Sequence, residues 1–376
     1  MCKIIYLDNA ATTRPSEKAL KNAEIYNSEA FYNSSAVYSL GLNSKLALNT
    51  VKENIISYVG SDFDIIFTSC GSESNNTAIF SYTNRGNAVT TLGEHPAVFM
   101  PFMELKNKGH DVRFAKINKD CTVNVEDLLS LIDKNTTFVS VMHVNNETGG
   151  INDINFIAKE CKKINPRLIF HVDGVQGFGK IPCRLSNDID LYSISAHKIN
   201  GLKGVGALLK NKRVKNLKPL IYGGGQEYGL RSGTENVFGI KVFEEVAIEK
   251  LSKIKENYEK IQSLKHRALL KLDKELFTII SSENSSPYIL SVSANGLRGE
   301  VLLHKLEEDG VIVSTGSACS SKNRFSRVLK EAGHLEGVLD GVIRLSFNID
   351  LSVDDVDFAI DKLNLRAKEL KRTMKQ

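Results

Sequence analysis

Nowhere in the 376 residues is there an uninterrupted apolar run as long as a membrane span requires, so no transmembrane helix is expected. Internal repeats and low-complexity tracts are also missing, which leaves ordinary globular folding as the expectation. Cysteine is sparse and scattered: Cys2, Cys70, Cys121, Cys161, Cys183 and Cys319 form no C-x-x-C pair. That argues against a zinc site and against a disulfide framework, and each cysteine has to be judged alone. Neither sign of charge dominates, with 49 basic and 44 acidic residues and a formal net charge of +5. The locally basic stretches 203–218 and 366–375 carry no interleaved aromatics and no recognisable motif, so no direct nucleic-acid partner is expected. A YLDNAATT segment already begins at Tyr6, leaving no room ahead of it for a signal or transit peptide; a cytoplasmic location is the expectation.

What remains is a chain with 42% hydrophobic and 25% charged residues, long enough for two domains with cores of their own. From about residue 15 to residue 246 strand-like and helix-like patterns alternate. Strands are expected at 64–68, 88–91, 112–115, 138–144, 168–172, 191–195 and 205–209, with helices such as 44–58, 97–108 and 154–163 among them. This rhythm predicts an α/β large domain (15–246) with a mostly parallel, seven-stranded sheet covered on both faces by helices. A long helical run from Thr234 to about Leu276 then leads into short strands at 277–280, 288–292, 311–313 and 342–347, with helices at 299–308 and 353–371. They are expected to form a smaller α+β domain made of 247–376 together with 1–14.

Ligands of parallel sheets gather at the carboxyl ends of the strands. Four motifs fall there: residues 69–76, 145–150, Asp173 with Gln176, and Ser195 to Lys198. A strand ending in an acid beside one ending in a lysine sets a carboxylate and an amine around one flat cofactor, as pyridoxal phosphate requires. The lysine forms an imine with the aldehyde, and the aspartate keeps the pyridine nitrogen protonated. The bland reading of Lys198 is a surface lysine, and its neighbours argue against that. Gly71 and Ser72 stand where a strand gives way to a helix, which is either a plain N-cap or a cup for phosphate. Ser195, His197 and Thr234 are candidates to complete that cup; His197 otherwise packs, and Thr234 otherwise caps the helix that follows. His95 sits on a loop at the same rim, where an imidazole can stack on a pyridine ring and move protons. Asn146 and Gln176 offer amides to the cofactor or substrate, or else make turns. Cys319 lies among small polar residues, unlike a packing cysteine, and is the candidate for a mobile nucleophile. Arg344 interrupts an apolar strand, either as a strand-face ion pair or as a clamp for an amino-acid carboxylate.

Taken together, the motifs resemble those of the NifS/IscS-type cysteine desulfurases, pyridoxal-phosphate enzymes of the aspartate-aminotransferase fold. The resemblance spans nearly the whole chain: YLDNAATT at 6–13, ESNN at 73–76, EH at 94–95, HVNNE at 143–147, HVDxxQ at 171–176, SxHK at 195–198, RSGT at 231–234 and GSAC at 316–319. It implies that Lys198 holds the cofactor, Asp173 partners its ring nitrogen, His95 stacks on the ring and handles protons, and Gln176 contacts its phenolic oxygen. Gly71, Ser72, Ser195 and His197 would hold the phosphate, with Thr234 supplied by the other subunit of a homodimer. Asn146 and Arg344 would orient the substrate, L-cysteine, and Cys319 would take its sulfur as a persulfide, leaving L-alanine. The sulfur would pass to an acceptor protein, an iron–sulfur scaffold or a tRNA-thiolation protein. Ser72 stands where the family usually has threonine, which keeps the hydroxyl. The extended tail through which some members bind their scaffold is not found before Gln376, so the resemblance does not name the acceptor. The rival readings are another pyridoxal-phosphate reaction on this fold, such as an aminotransferase or a selenocysteine lyase, and a non-enzymatic binding subunit. A binding subunit would not need Lys198, Asp173, His95 and Cys319 together.

Overall fold

Strands buried on both faces must be apolar at consecutive positions, and the central segments of this chain are. Ile65 and Ile66 are neighbours in sequence, both fully buried, and they belong to two different cores. The computed structural model describes residues 3–60, 62–81, 86–315 and 325–374. Its strands in chain order are β1 (Ile5–Tyr6), β2 (Phe63–Thr68), β3 (Asn87–Thr91), β4 (Val112–Ala115), β5 (Thr136–Met142), β6 (Ile169–Asp173), β7 (Leu191–Ser195), β8 (Gly206–Asn211), β9 (Phe277–Ile279), β10 (Ile289–Ala294), β11 (Val311–Ile312) and β12 (Val342–Ser346).

Seven strands form the main sheet in the order β2-β8-β7-β6-β5-β3-β4. Only β8 runs against its neighbours; the other adjacent pairs are parallel. The expected α/β class and mostly parallel sheet are therefore present, and six strands end on one rim. Helices Ser39–Val59, Ile154–Ile164 and Val237–Ser252 bury Val51, Ile55, Ile157, Ala158 and Phe243 against one face. On the other face Gly71–Phe80 and Pro96–Asn107 bury Ala78, Ile79, Val98 and Phe102. Asp190, 1% exposed just ahead of β7, accepts hydrogen bonds from Lys162 Nζ (2.6 Å), Arg213 Nε (2.7 Å) and the Phe170 amide (2.7 Å). A buried carboxylate with this many donors is matched, and stripping the donors would cost about 3–5 kcal/mol. It fixes where β7 enters the sheet, hence where the strand delivers its last residues.

The single long helical run expected after Thr234 is two helices, Val237–Ser252 and Ile254–Lys271, meeting at Lys253. The break has a packing cause. Val246 and Ala247 of the first helix serve the large core, whereas Ile261 and Leu264 of the second serve another core, built with Leu290, Ile343, Val356 and Ile360. Nor does Thr234 cap the first helix: Asn236 Oδ1 accepts the Gly239 amide at 3.0 Å.

That second core lies on the antiparallel sheet β12-β10-β9 and on helices Gly299–Glu308 and Val353–Thr373. It also takes in Ile5, Leu7 and Ala10, because β1 pairs in parallel with β11. The chain then crosses to the main sheet, where the Thr13 amide and hydroxyl both donate to the His197 carbonyl, at 3.0 and 2.9 Å. Residues 8–13 thus bridge the two cores beside the rim. Among the described residues no helix is long and apolar enough to cross a membrane.

Candidate active site

Adjacent parallel strands β6 and β7 carry Asp173 and Ser195 as their last residues, and a short 3-10 turn, Ala196–Lys198, follows directly. The strand ends alone therefore bring the acid and the lysine to one place. Both line a cavity of about 300 Å³, together with Gly71, Ser72, His95, Asn146, Gln176, Ser195, His197 and Arg344. Thr234 is exposed and is not part of that lining. Cys319 lies outside the described residues.

Asp173 is held on both oxygens. Oδ2 accepts from Asn75 Nδ2 at 2.8 Å and Oδ1 from the Val175 amide at 3.1 Å. Lys198 Nζ donates to the carbonyls of Ala10 and Ala11, at 2.6 and 2.7 Å, so the bridging segment 8–13 sets its amine.

Next to them the helix Gly71–Phe80 opens onto the cavity, with Cys70 as its N-cap. A Cβ on Gly71 would lie 2.6 Å from Val175 Cγ2, so a larger residue would push this turn out of place. The Ser195 hydroxyl, which also lines the cavity, is buried without a hydrogen-bond partner. Free backbone N–H groups at a helix N-terminus and an unused hydroxyl suit the oxygens of a phosphate dianion. His197 bonds Thr12 Oγ1 through Nδ1 at 3.1 Å; burial, then Lys198, Lys180 and Lys203, pull its pKa down to about 4. It serves as a neutral hydrogen-bonding group.

His95 caps the helix Pro96–Asn107, its Nδ1 accepting the Ala97 amide at 3.1 Å. Burial holds its pKa below the usual value, and Lys198 and Arg327 add to this against the opposing pull of Asp173. With Nδ1 accepting, the neutral ring carries its hydrogen on Nε2. Arg327 supports the turn from behind by donating to the carbonyls of Leu92 (2.5 Å) and Glu94 (2.6 Å), with its guanidinium 3.8 Å over the Phe99 ring. Of the two expected readings of Arg344, the ion pair is present. It is 4% exposed and forms an ion pair with Asp8 at 2.7 Å, and it donates to the Asn146 carbonyl at 2.9 Å. Its Nε is buried with no partner, one donor not consumed by the pair.

A match to the class-V aminotransferase family extends over residues 5–358. The chain belongs to that family. It is 36% identical to a NifS/IcsS protein homolog of Lactobacillus delbrueckii subsp. bulgaricus, over 94% of each chain. It is 35% identical to a cysteine desulfurase IscS of Buchnera aphidicola subsp. Baizongia pistaciae, over 98% of this chain and 93% of the relative. Among solved structures, a NifS-like protein superposes with a TM-score of 0.89 at 32% identity, covering 96% of this chain and 99% of that one. The expected NifS/IscS kinship is thereby met.

Five supporting residues are not singled out by the sequence: Asp8, Asn75, Glu94, Lys180 and Arg327. All but Lys180 and Arg327 lie inside motifs quoted for the resemblance, yet nothing in their spacing says which distant group they touch. Glu94 carries a consequence for stability. It is fully buried, its Oε1 accepting from the Met142 amide and Thr91 Oγ1, both at 2.9 Å. Burial, followed by the negative charge of Asp173, pushes its carboxyl from 4.5 up to about 8. Below about pH 4.5 folded and unfolded chains both hold this proton; between there and about pH 8 only the folded chain keeps it, so folding loses stability as pH rises. Glu94→Gln is expected to remove that slope. Thermal melts across this range should show the variant gaining on the wild type by a few kcal/mol, about 3–5 at the upper end. Parallel melting curves would contradict it.

Proposed function

We propose that this protein is a pyridoxal-phosphate-dependent cysteine desulfurase: it removes the sulfur of L-cysteine onto Cys319 as a persulfide and leaves L-alanine. The observation that carries this reading is the shared cavity of Lys198 and Asp173, opened by a glycine-led helix N-terminus and the unpartnered Ser195 hydroxyl. When bound, pyridoxal phosphate supplies an electron sink for charge that develops on the substrate's carbon. Lys198 would hold its aldehyde, and Asp173, anchored by Asn75, would serve its ring nitrogen. His95 would stack on the ring and handle protons, and Gln176 would serve the phenolic oxygen. Gly71, Ser72, Ser195 and His197 take the phosphate. Asn146 and Arg344 orient the substrate, the guanidinium through the donor that Asp8 leaves unused. Residues 15–246 hold the cofactor in this scheme, while 1–14 and 247–376 bring Arg344 and Cys319 to it.

A homodimer completes the phosphate cup with Thr234 from the second copy. In support, Phe31, Val37, Tyr38, Leu46, Tyr222 and Tyr228 are each more than half exposed. The bond from Ser34 Oγ to Glu235 Oε2, 2.6 Å, sets part of this apolar group beside Thr234. The chemistry suits the cytoplasm, whose reducing conditions keep a lone thiol free. The persulfide sulfur then goes to an acceptor protein of iron–sulfur cluster assembly or tRNA thiolation. With L-cysteine and a reductant, the purified holoenzyme is expected to release sulfide and alanine in equal amounts. Pyruvate in place of alanine, or no sulfide at all, would refute the assignment.

A further inference from the structure

Lys180 is a cation in an unusual place. It is 7% exposed, and among the described residues no carboxylate lies within ion-pair distance of it. The charges around it have its own sign: Lys198 from the turn after β7, Lys250 from the helix Val237–Ser252, and Arg344 from β12. The Tyr288 ring lies 5.9 Å from its Nζ. Burying an ammonium without an acid is costly, and such groups are retained where something else uses the charge. Burial, and then these three cations, bring its pKa down to about 7; a negative charge in the adjoining cavity would favour the protonated form.

The hydrogen bond that Lys180 makes is to Oε1 of Gln176, at 3.0 Å. At the other end of the same amide, Gln176 Nε2 donates to the Ala10 carbonyl at 2.8 Å, and that oxygen also accepts from Lys198 Nζ at 2.6 Å. The two neighbours of the amide have fixed polarity. An ammonium only donates and a carbonyl only accepts, so Oε1 is committed outward and Nε2 keeps one hydrogen to offer the cavity. A cation on the carbonyl end of an amide also draws charge from its nitrogen and strengthens the N–H as a donor, as linked hydrogen bonds do.

We propose that Lys180 is a positioning residue: it locks and polarises the Gln176 amide, making it a charge-assisted donor to the phenolic oxygen of the cofactor. This deepens the desulfurase reading and rests on it. A strong donor there stabilises the oxygen in its anionic form, which lowers the pH at which the proton shared between that oxygen and the lysine nitrogen is lost. The visible band of the holoenzyme follows that proton, so its pH midpoint reads the effect without any turnover.

The test compares the band's midpoint in wild type, Lys180→Met, Gln176→Ala and the double variant, each loaded with pyridoxal phosphate. Lys180→Met is expected to raise the midpoint by about half a unit or more, and the same change made on top of Gln176→Ala should add almost nothing. Lys180→Gln, which keeps a donor to Oε1 but drops the charge, should give a smaller rise and stands in if the methionine variant does not fold. An unchanged midpoint in the lysine variants overturns the proposal. So does an equal rise with and without Gln176, since a charge acting directly through space would not pass through the amide. A wild-type protein that shows no visible band refutes the cofactor assignment itself, a different failure.

Discussion

Lys198→Ala protein is expected to fold, to stay colourless when pyridoxal phosphate is added, and to turn over L-cysteine at least about a thousandfold more slowly than wild type. The lysine is not a core residue. Its amine reaches only the rim, on the carbonyls of Ala10 and Ala11, so its loss leaves both hydrophobic clusters intact. On the proposed reading, what would disappear is the covalent hold on the aldehyde and the amine that exchanges with substrate. The proposed phosphate site at Gly71 and Ser195 would remain, so residual cofactor binding would show in equilibrium dialysis without the visible band. Absorbance and melting curves on the same sample separate the outcomes. A yellow Lys198→Ala protein would show that another amine holds the cofactor, and Lys180, which shares Gln176 with this cluster, would be the first to examine.

Cys319→Ser should behave in the opposite way. The colour is expected to remain and L-cysteine should still perturb it, while sulfide release falls by about a thousandfold or more, because a hydroxyl is a far weaker nucleophile toward sulfur than a thiolate. Mass spectrometry of the wild-type peptide carrying Cys319 after L-cysteine treatment should show the gain of one sulfur atom. This prediction separates the desulfurase from its rivals on the same fold. An aminotransferase or a selenocysteine lyase has no need of the thiol, and its turnover would survive the substitution. Of the other described cysteines, Cys161 and Cys183 are poor substitutes, because burial raises the thiol pKa of the first to about 12 and of the second to about 11; Cys70 lines the cavity, and Cys70→Ser is the control that should leave sulfide release in place.

Much of this site could be read along the chain because the parallel sheet turns sequence into position. Residues that follow a strand reach the same rim, so Asp173, Lys198, His95 and Gly71 converge without any knowledge of their contacts. Strand periodicity served equally well; the seven expected strands are all present, though the one expected at 138–144 begins earlier, at Thr136, and ends at Met142. What periodicity does not carry is the partner of a polar group across the fold. The Asn75 contact to Asp173 spans 98 positions and the Arg344 contact to Asp8 spans 336, distances over which no local pattern acts. Lys180 was hidden for a related reason, since a lysine after Gly179 in a turn looks solvated until the surrounding elements close over it. The break at Lys253 and the cap at Asn236 follow the same rule, being settled by two cores and not by helical propensity.

The pairing of Ile5 with Val311 has a bearing on how the enzyme is made. During synthesis the first strand must wait for its mate until Val311 has left the ribosome, a delay on the order of tens of seconds at ordinary elongation rates. Until then the carbonyls of Ala10 and Ala11 have no fixed address, and the amine of Lys198 is without its two acceptors. Nascent fragments that stop short of Val311 therefore lack the strand pairing that holds this side of the pocket.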